Sequence, residues 1–373
     1  MPLKQQPKLK QQPKKGFSVE QIQTAIEAIV LPNSNRTIAS EKALTKLTQQ
    51  DGNIHVTLRF AYPVAHLQDA FIQAIAQATD TPASNIHLTL ENKIVTHKVQ
   101  QGVNTIKGVK NIIAIASGKG GVGKSTTTTN LAIALSKMGA RVGVLDADIY
   151  GPSQPTMLGV SDLQPEQKDG KFIPVTNAAG IQTMSIGFLV NTDQAVVWRG
   201  PMVSQALQQL LFQSQWDDVD YLFIDLPPGT GDVQLTLSQK IPVTASVIVT
   251  TPQDIALLDA RKAVDMFAKV NIPILGIIEN MATHICSQCG HAEAIFGSDG
   301  GKMLSENLNV PLLAQLPLSL PIRQAMDQGQ GVELQQTETA IANLYQQATW
   351  QIILKISDMG KDFSNAFPKI VIE

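Results

Sequence analysis

Cysteine is almost missing from this chain, with two residues in 373. So few cannot staple a secreted fold, and they point to a reducing compartment. Charge is also scarce, at 16% against a usual ~25%, which argues against salt-bridge networks and charge-driven disorder. Neither sign dominates: 29 Lys and Arg stand against 31 Asp and Glu, a net charge of -2. A nucleic-acid partner is therefore not expected, because neutralising phosphates needs a basic excess. No apolar run approaches the ~18 residues that span a bilayer, so no membrane partner is expected either. The opening MPLKQQPKLKQQPKKG is basic with no apolar segment behind it, so no secretory leader is expected. These absences predict a cytoplasmic protein. Aromatic residues are few at 5%, yet 43% of the chain is hydrophobic. At ~150 residues per domain, two or three domains with a substantial core are expected.

Residues 1–16 have a composition that cannot bury enough surface to offset ordering, and they read as a solvated basic tail. In 17–30, Val19, Ile22, Ile26 and Ile29 share one helical face behind a Ser18 N-cap. Asn53–Ala61 alternates as a strand, His66–Ala78 returns to helical spacing and Ile86–Leu90 alternates again. Residues 17–100 thus read as a small α/β domain of helix–strand–helix–strand order, followed by a polar linker over 101–110. From 111 to 358, the short apolar runs IIAIA, VGVLD, YLFID, SVIVT and ILGII recur, several of them separated by helical stretches. That pattern predicts an α/β domain with a mostly parallel sheet covered by helices on both faces. Residues 359–373 read as a tail. The stretch IANLYQQATWQIILKIS just before it is amphipathic with one Lys, which favours a docked core helix over an interfacial membrane helix.

The first of those strands runs into GKGGVGKS, Gly118–Ser125, and then into a helix with Leu131, Leu135 and Met138 on one side. Strand, G-x-x-x-x-G-K-S and helix together are the phosphate loop of a nucleotide-binding protein. Gly118, Gly120, Gly121 and Gly123 let backbone N–H groups, that of Val122 among them, converge on phosphate oxygens. The helix N-terminus adds partial positive charge. Lys124 brings a full charge to the outer phosphates, and the Ser125 hydroxyl suits Mg2+. Lys119, directly after the first glycine, is read as a second phosphate neutraliser reaching the nucleotide of a partner copy, against the plain alternative of a solvent-facing loop charge.

Carboxylates follow at strand ends, where a parallel sheet gathers them beside the phosphate loop. Asp225, closing YLFID, is the expected partner for Mg2+ through water. Asp148 is expected to orient the attacking water and Asp146 to support the metal shell; the alternative for such residues is turn formation. Gly229 and Gly231 are read as freeing N–H groups toward the γ-phosphate. Asn280 is read as a purine contact or an ordinary turn residue. Cys286 and Cys289 form the C-x-x-C of ICSQCGH, and four readings stay open. They are a thioredoxin-like pair, a zinc site completed by His284 and His291, a structural pair of free thiols, and half of a four-thiolate iron–sulfur site shared across a two-fold homodimer.

The segments ASGKGGVGKSTTTTNLA, LDADIYGPSQPTMLG, WRGPM, DYLFIDLPPGTGD, IIENMA and CSQC, in that order, closely resemble the Mrp family of iron–sulfur cluster carrier ATPases, over about residues 108–345. The resemblance implies a P-loop NTPase fold and a homodimer that binds ATP and Mg2+. It also implies a [4Fe-4S] cluster held between subunits and handed to apo iron–sulfur client proteins. It assigns ATP binding to Gly118–Ser125, action across the dimer to Lys119, and cluster ligation to Cys286 and Cys289. The N-terminal domain is similar to the PaaD-like assembly modules that often precede such carriers. It departs from them at LPNSNRTIAS, where an acidic Asp-Pro-Glu turn is usual, and at FAYPVAH, where a cysteine is usual. An adaptor or degenerate module is expected. Two other classes compete for the whole chain: a positioning or partition-type P-loop ATPase, and a zinc-bridged scaffold.

Overall fold

The computed structural model describes residues 17–100, 103–189, 200–286 and 288–362. The expected tail 1–16, most of the tail 359–373 and the first two residues of WRGPM lie outside them. The chain forms two compact units, Met1–Phe60 with Val64–Lys93 and Ala61–Pro63 with Ile94–Glu373.

The small unit contains α1 (Val19–Glu27), β1 (Leu44–Gln50), β2 (Asn53–Phe60), α2 (Gln68–Thr79) and β3 (Ile86–Asn92). Ser18 caps α1 in a full capping box: its Oγ accepts from the Gln21 N–H, and Gln21 Oε1 accepts from the Ser18 N–H. Ile22 and Ile26 are buried while Val19 is exposed, so the apolar stripe starts one turn later than its spacing predicts. β2 pairs antiparallel with β1 and parallel with β3. It buries Ile54, Val56, Leu58 and Phe60 and exposes His55 and Arg59, the alternation of a sheet covered on one face. β1 is an addition to the expected order. Its sequence LTKLTQQ has no fully buried position and so carries no alternating apolar signal.

The expected domain edge at residue 100 moves back to Lys93/Ile94. The cause is a set of hydrogen bonds tying the intervening segment to the large unit. Asn111 Oδ1 accepts from the His97 backbone N–H at 3.1 Å and lies 2.9 Å from His97 Nδ1. Asn111 Nδ2 donates to Val95 O, and Gln100 Nε2 donates to Ser238 O.

The large unit opens with β4 (Val109–Ala116), which starts inside the stretch read as linker, then α3 (Lys124–Lys137), β5 (Val142–Asp146) and α4 (Gln154–Met157). Four short strands follow: β6 (Glu166–Lys168), β7 (Lys171–Ile173), β8 (Val175–Thr176) and β9 (Gln182–Ser185). Next come α5 (Gly200–Gln213), β10 (Val219–Asp225), α6 (Asp232–Lys240), β11 (Ala245–Thr250), α7 (Asp254–Lys269) and β12 (Ile274–Ile285). β13 (Ala292–Glu293), α8 (Gly300–Leu308), β14 (Leu312–Leu318), α9 (Leu320–Asp327), α10 (Gly331–Thr337) and α11 (Thr339–Ser357) complete it.

The main sheet runs β13-β12-β11-β4-β10-β5-β9-β8, with β14 also paired to β12. Pairings from β14 through β9 are parallel, and β13 and β8 add antiparallel edges. β5, β10 and β11 are buried at every residue, as central strands with helices on both faces must be. Leu131, Leu135 and Met138 of the α3 region are fully buried. α11 buries Ile341, Tyr345, Trp350, Ile352 and Ile353, so its apolar face is spent in the core. No helix among the described residues is long and apolar enough to cross a membrane.

Candidate functional site

β4 leads into the phosphate loop and α3 begins at Lys124. Gly123 is its N-cap at φ +80°, and a Cβ there would sit 2.1 Å from Asn280 Nδ2. Gly118 is needed for another reason, since its Cβ would lie 2.1 Å from the Asp259 carbonyl carbon in α7. The loop curls around a cavity of about 230 Å³ lined by residues 119–126 with Ser117, Asp148, Ser153, Met157 and Pro228.

Register brings the carboxylates together behind this cavity, with Asp225 of β10 opposite Asp146 of β5. Both are fully buried. Asp225 Oδ1 accepts from Lys124 Nζ at 2.5 Å and from Thr128 Oγ1 at 3.2 Å, and its Oδ2 accepts from Gln154 Nε2 at 3.0 Å. Gln154 also donates to Ser125 O and accepts from Thr129 Oγ1. This buried amide links three parts of the site, and sequence reading missed it. The signal was present in GPSQPT, a polar residue opening a proline-flanked helical turn just after the two aspartates.

Asp146 departs from its expected place in a metal shell. Its Oδ2 accepts from the Ser153 and Gln154 N–H groups and from Ser185 Oγ, and its Oδ1 accepts from the Asp148 N–H. The carboxylate is taken up in shaping the turn that presents Asp148 and Gln154. Burial, with the Asp225 charge beside it, pushes Asp146 up to about 7. Asp148 is half-buried and lines the cavity; burial raises it too, partly offset by Lys124.

Lys119 is half-buried on the cavity wall and has no ion-pair partner among the described residues. Gly229 does not offer a free N–H, because its N–H donates to Ser117 O at 3.0 Å. Asn280 Nδ2 donates to Val122 O at 2.9 Å in a buried bond. One of its two amide N–H groups thus clamps the phosphate loop from behind.

Five residues beyond the Asn280–Met281 pair, the same strand delivers Cys286. β12 pairs with β13 through His284↔Glu293 and Ile285↔Ala292, which places the C-x-x-C at the tip of a hairpin. The Cys286 N–H donates to His291 O, and the Gly290 N–H donates to Cys286 O. Both cysteines are free, Cys286 half-buried and Cys289 exposed. N–H groups of Cys289 and Gln288 turned toward the Cys286 sulfur hold its thiol below the ordinary range. Among the described residues, no three His, Cys, Asp or Glu side chains converge as a metal site. His284 has its Nδ1 3.3 Å from Leu318 O, and a zinc set of both cysteines with His284 and His291 is not assembled within one chain.

The family model for NUBPL iron-transfer P-loop NTPases, of the ParA group, matches residues 108–353. The iron–sulfur cluster carrier protein of Haemophilus influenzae is 48% identical over 341 residues, covering 90% of each chain. That of Pseudomonas fragi is 56% identical over 255 residues, covering 68% of this chain and 89% of its own. Among solved structures, a nucleotide-binding protein from Archaeoglobus fulgidus in complex with ADP is 36% identical with a TM-score of 0.55. It covers 61% of this chain and 89% of that one.

Proposed function

This chain belongs to the NUBPL iron-transfer P-loop NTPase family, and from that premise we propose an ATP-hydrolysing carrier of the cytoplasm that holds a [4Fe-4S] cluster between two copies of itself and hands it to apo-proteins. One observation carries the reading: a nucleotide cavity and a two-thiol hairpin share one chain, and no third metal-binding side chain joins the thiols among the described residues. A four-iron cluster takes four thiolates. A two-fold dimer supplies them with no further ligand. Exposed apolar side chains at both places agree with a face-to-face partner: Tyr150, Ile255 and Leu258 near the phosphate loop, and Ile285 and Ile295 near the cysteines.

Loop N–H groups and the N-terminus of α3 hold the phosphates of ATP. Lys124 leaves Asp225 for the outer phosphates, where its charge offsets that developing in the transition state. The donor set at Ser125 and Asp225 fits Mg2+, a hydroxyl and a carboxylate both within reach of Lys124; when bound, the ion neutralises phosphate charge. Asp148 orients the attacking water from the cavity wall. Lys119, without a carboxylate of its own, reaches the nucleotide of the partner copy. The change at the phosphate loop passes along β12 to the cysteines, and cluster release requires two dimer states of different cluster affinity.

Anaerobic reconstitution with iron and sulfide tests this. About two irons per chain in a dimer, with visible charge-transfer absorbance, is the expected result. Four irons on a monomer, or an unchanged cluster in Cys286→Ala, would overturn it.

A further inference from the structure

The small unit carries a feature that neither the nucleotide cavity nor the cysteine hairpin uses. In the parallel pair β2–β3, His55 stands opposite His87. Both are exposed, and their rings stack with centroids 4.6 Å apart and planes 15° from parallel. The stacking follows from sheet geometry, since side chains in register on one face of neighbouring strands lie about 4.8 Å apart. Ile54, Val56 and Leu58 point to the covered face, so the histidines occupy the open one.

Neither ring has a hydrogen-bond or ion-pair partner among the described residues. The Glu91 carboxylate, further along the same face, is held by Arg59 at 2.7 Å. Thr57 and Thr89 fill the register position between. Two imidazoles are thus left side by side with their ring nitrogens uncommitted. At metal–nitrogen distances of ~2.0–2.1 Å, a tetrahedral ion needs its two nitrogens about 3.4 Å apart. The stacked rings, 15° from parallel, aim their in-plane lone pairs side by side, so both imidazoles turn out of the stack about χ1 and χ2 for two nitrogens to meet one ion, a rotamer change open to exposed side chains.

We propose that His55 and His87 form a two-point site for a divalent transition metal of the Cu2+ and Zn2+ class, with water in the remaining positions. Neutral imidazole selects these borderline ions over Mg2+ or Ca2+, which take oxygen ligands. The site has no thiolate and lies in a different unit from Cys286 and Cys289, so it is separate from the cluster cargo and stands whether or not the chain carries one.

The test uses the untagged full chain with Cys286→Ser and Cys289→Ser, which silences the thiols. Cu2+ is titrated by calorimetry and its nitrogen couplings are read by electron paramagnetic resonance. One Cu2+ per chain with two imidazole nitrogens is expected. His55→Ala or His87→Ala should each weaken Cu2+ binding on the order of 10²-fold, the loss of a second ligand held at high effective concentration, and leave one nitrogen coupling. Their melting curves should not move. If affinity and couplings persist in the double His55→Ala, His87→Ala chain, the copper sits on other histidines and the proposal falls.

Discussion

In the proposed mechanism Lys124 serves two states, paired with Asp225 or drawn to phosphate, and only the first is set by the fold alone. The ammonium lies 2.5 Å from a fully buried carboxylate that also receives Thr128 and Gln154. Removing one partner of a buried pair strands the other charge. Lys124→Ala should therefore abolish ATP turnover and also cost about 3 kcal/mol of folding stability. Adding Asp225→Asn should recover most of the stability and none of the turnover. Urea melts and phosphate release check both, and a double variant as unstable as the single one would show that the pair is not the source of the loss. Asp146 supplies a pH signature. Its carboxyl is raised from 3.8 to about 7 by burial and by Asp225, so across that window the folded chain binds more protons than the unfolded one. The contribution to unfolding free energy then falls as pH rises. The urea midpoint of the wild-type chain should decline more steeply between those two values than that of Asp146→Asn; parallel curves would refute the assignment. At this scale, the phosphate loop and Asp225 were legible because motif and strand end fix their place. Gln154 and the turn-forming work of Asp146 were not, because hydrogen bonds between distant segments leave no local spacing.

Among the elements, β12 matters most. It carries Asn280 against Val122 O, then Met281 at φ +57°, and ends at Ile285, one residue before Cys286. Its pairing with β14 shifts register between Glu279 and Thr283, around this irregular point. Just upstream, Glu279 accepts from the Gly301 N–H and from Gln315 Nε2, each at 2.6 Å, so the strand is fixed at one end while the bend lies beyond. Asn280→Ala should cost about 1–3 kcal/mol by leaving a buried carbonyl unpaired and should weaken nucleotide binding. It should also remove the effect of nucleotide on the rate of cluster transfer, measured by activation of an apo-protein. A variant that still transfers faster with ATP would rule β12 out as the link. Gly123→Ala should fail more completely in nucleotide binding, since both its φ and the 2.1 Å approach to Asn280 forbid a Cβ. The central strands were readable because burial on both faces writes continuous apolar runs. β1 (LTKLTQQ) and β9 (QTMS) were not read, because short or edge strands show too little alternation. The Asn280 clamp sits at the end of a readable strand, but its target lies 158 residues away.

For the whole molecule, the question is which copy supplies which lysine. If Lys119 acts across the dimer, Lys119→Ala and Lys124→Ala homodimers are both inactive. Mixing them should nevertheless restore part of the ATP turnover, because one site in the mixed dimer pairs an intact Lys124 with an intact partner Lys119. A mixture as dead as its components would place Lys119 in its own site. The two-unit organisation was legible from the change in texture, whereas the edge between units was not. Residues 94–100 read from the sequence as the end of the small domain, because their attachment to Asn111 and Ser238 depends on long-range bonds that leave no local spacing. The cysteine hairpin has a last consequence in mass action. Where two copies supply two thiolates each, as proposed, the vessel they form holds its contents only while its halves stay joined, so dilution alone should empty it. The amount of this protein in a cell would then set how much inorganic freight each molecule can keep.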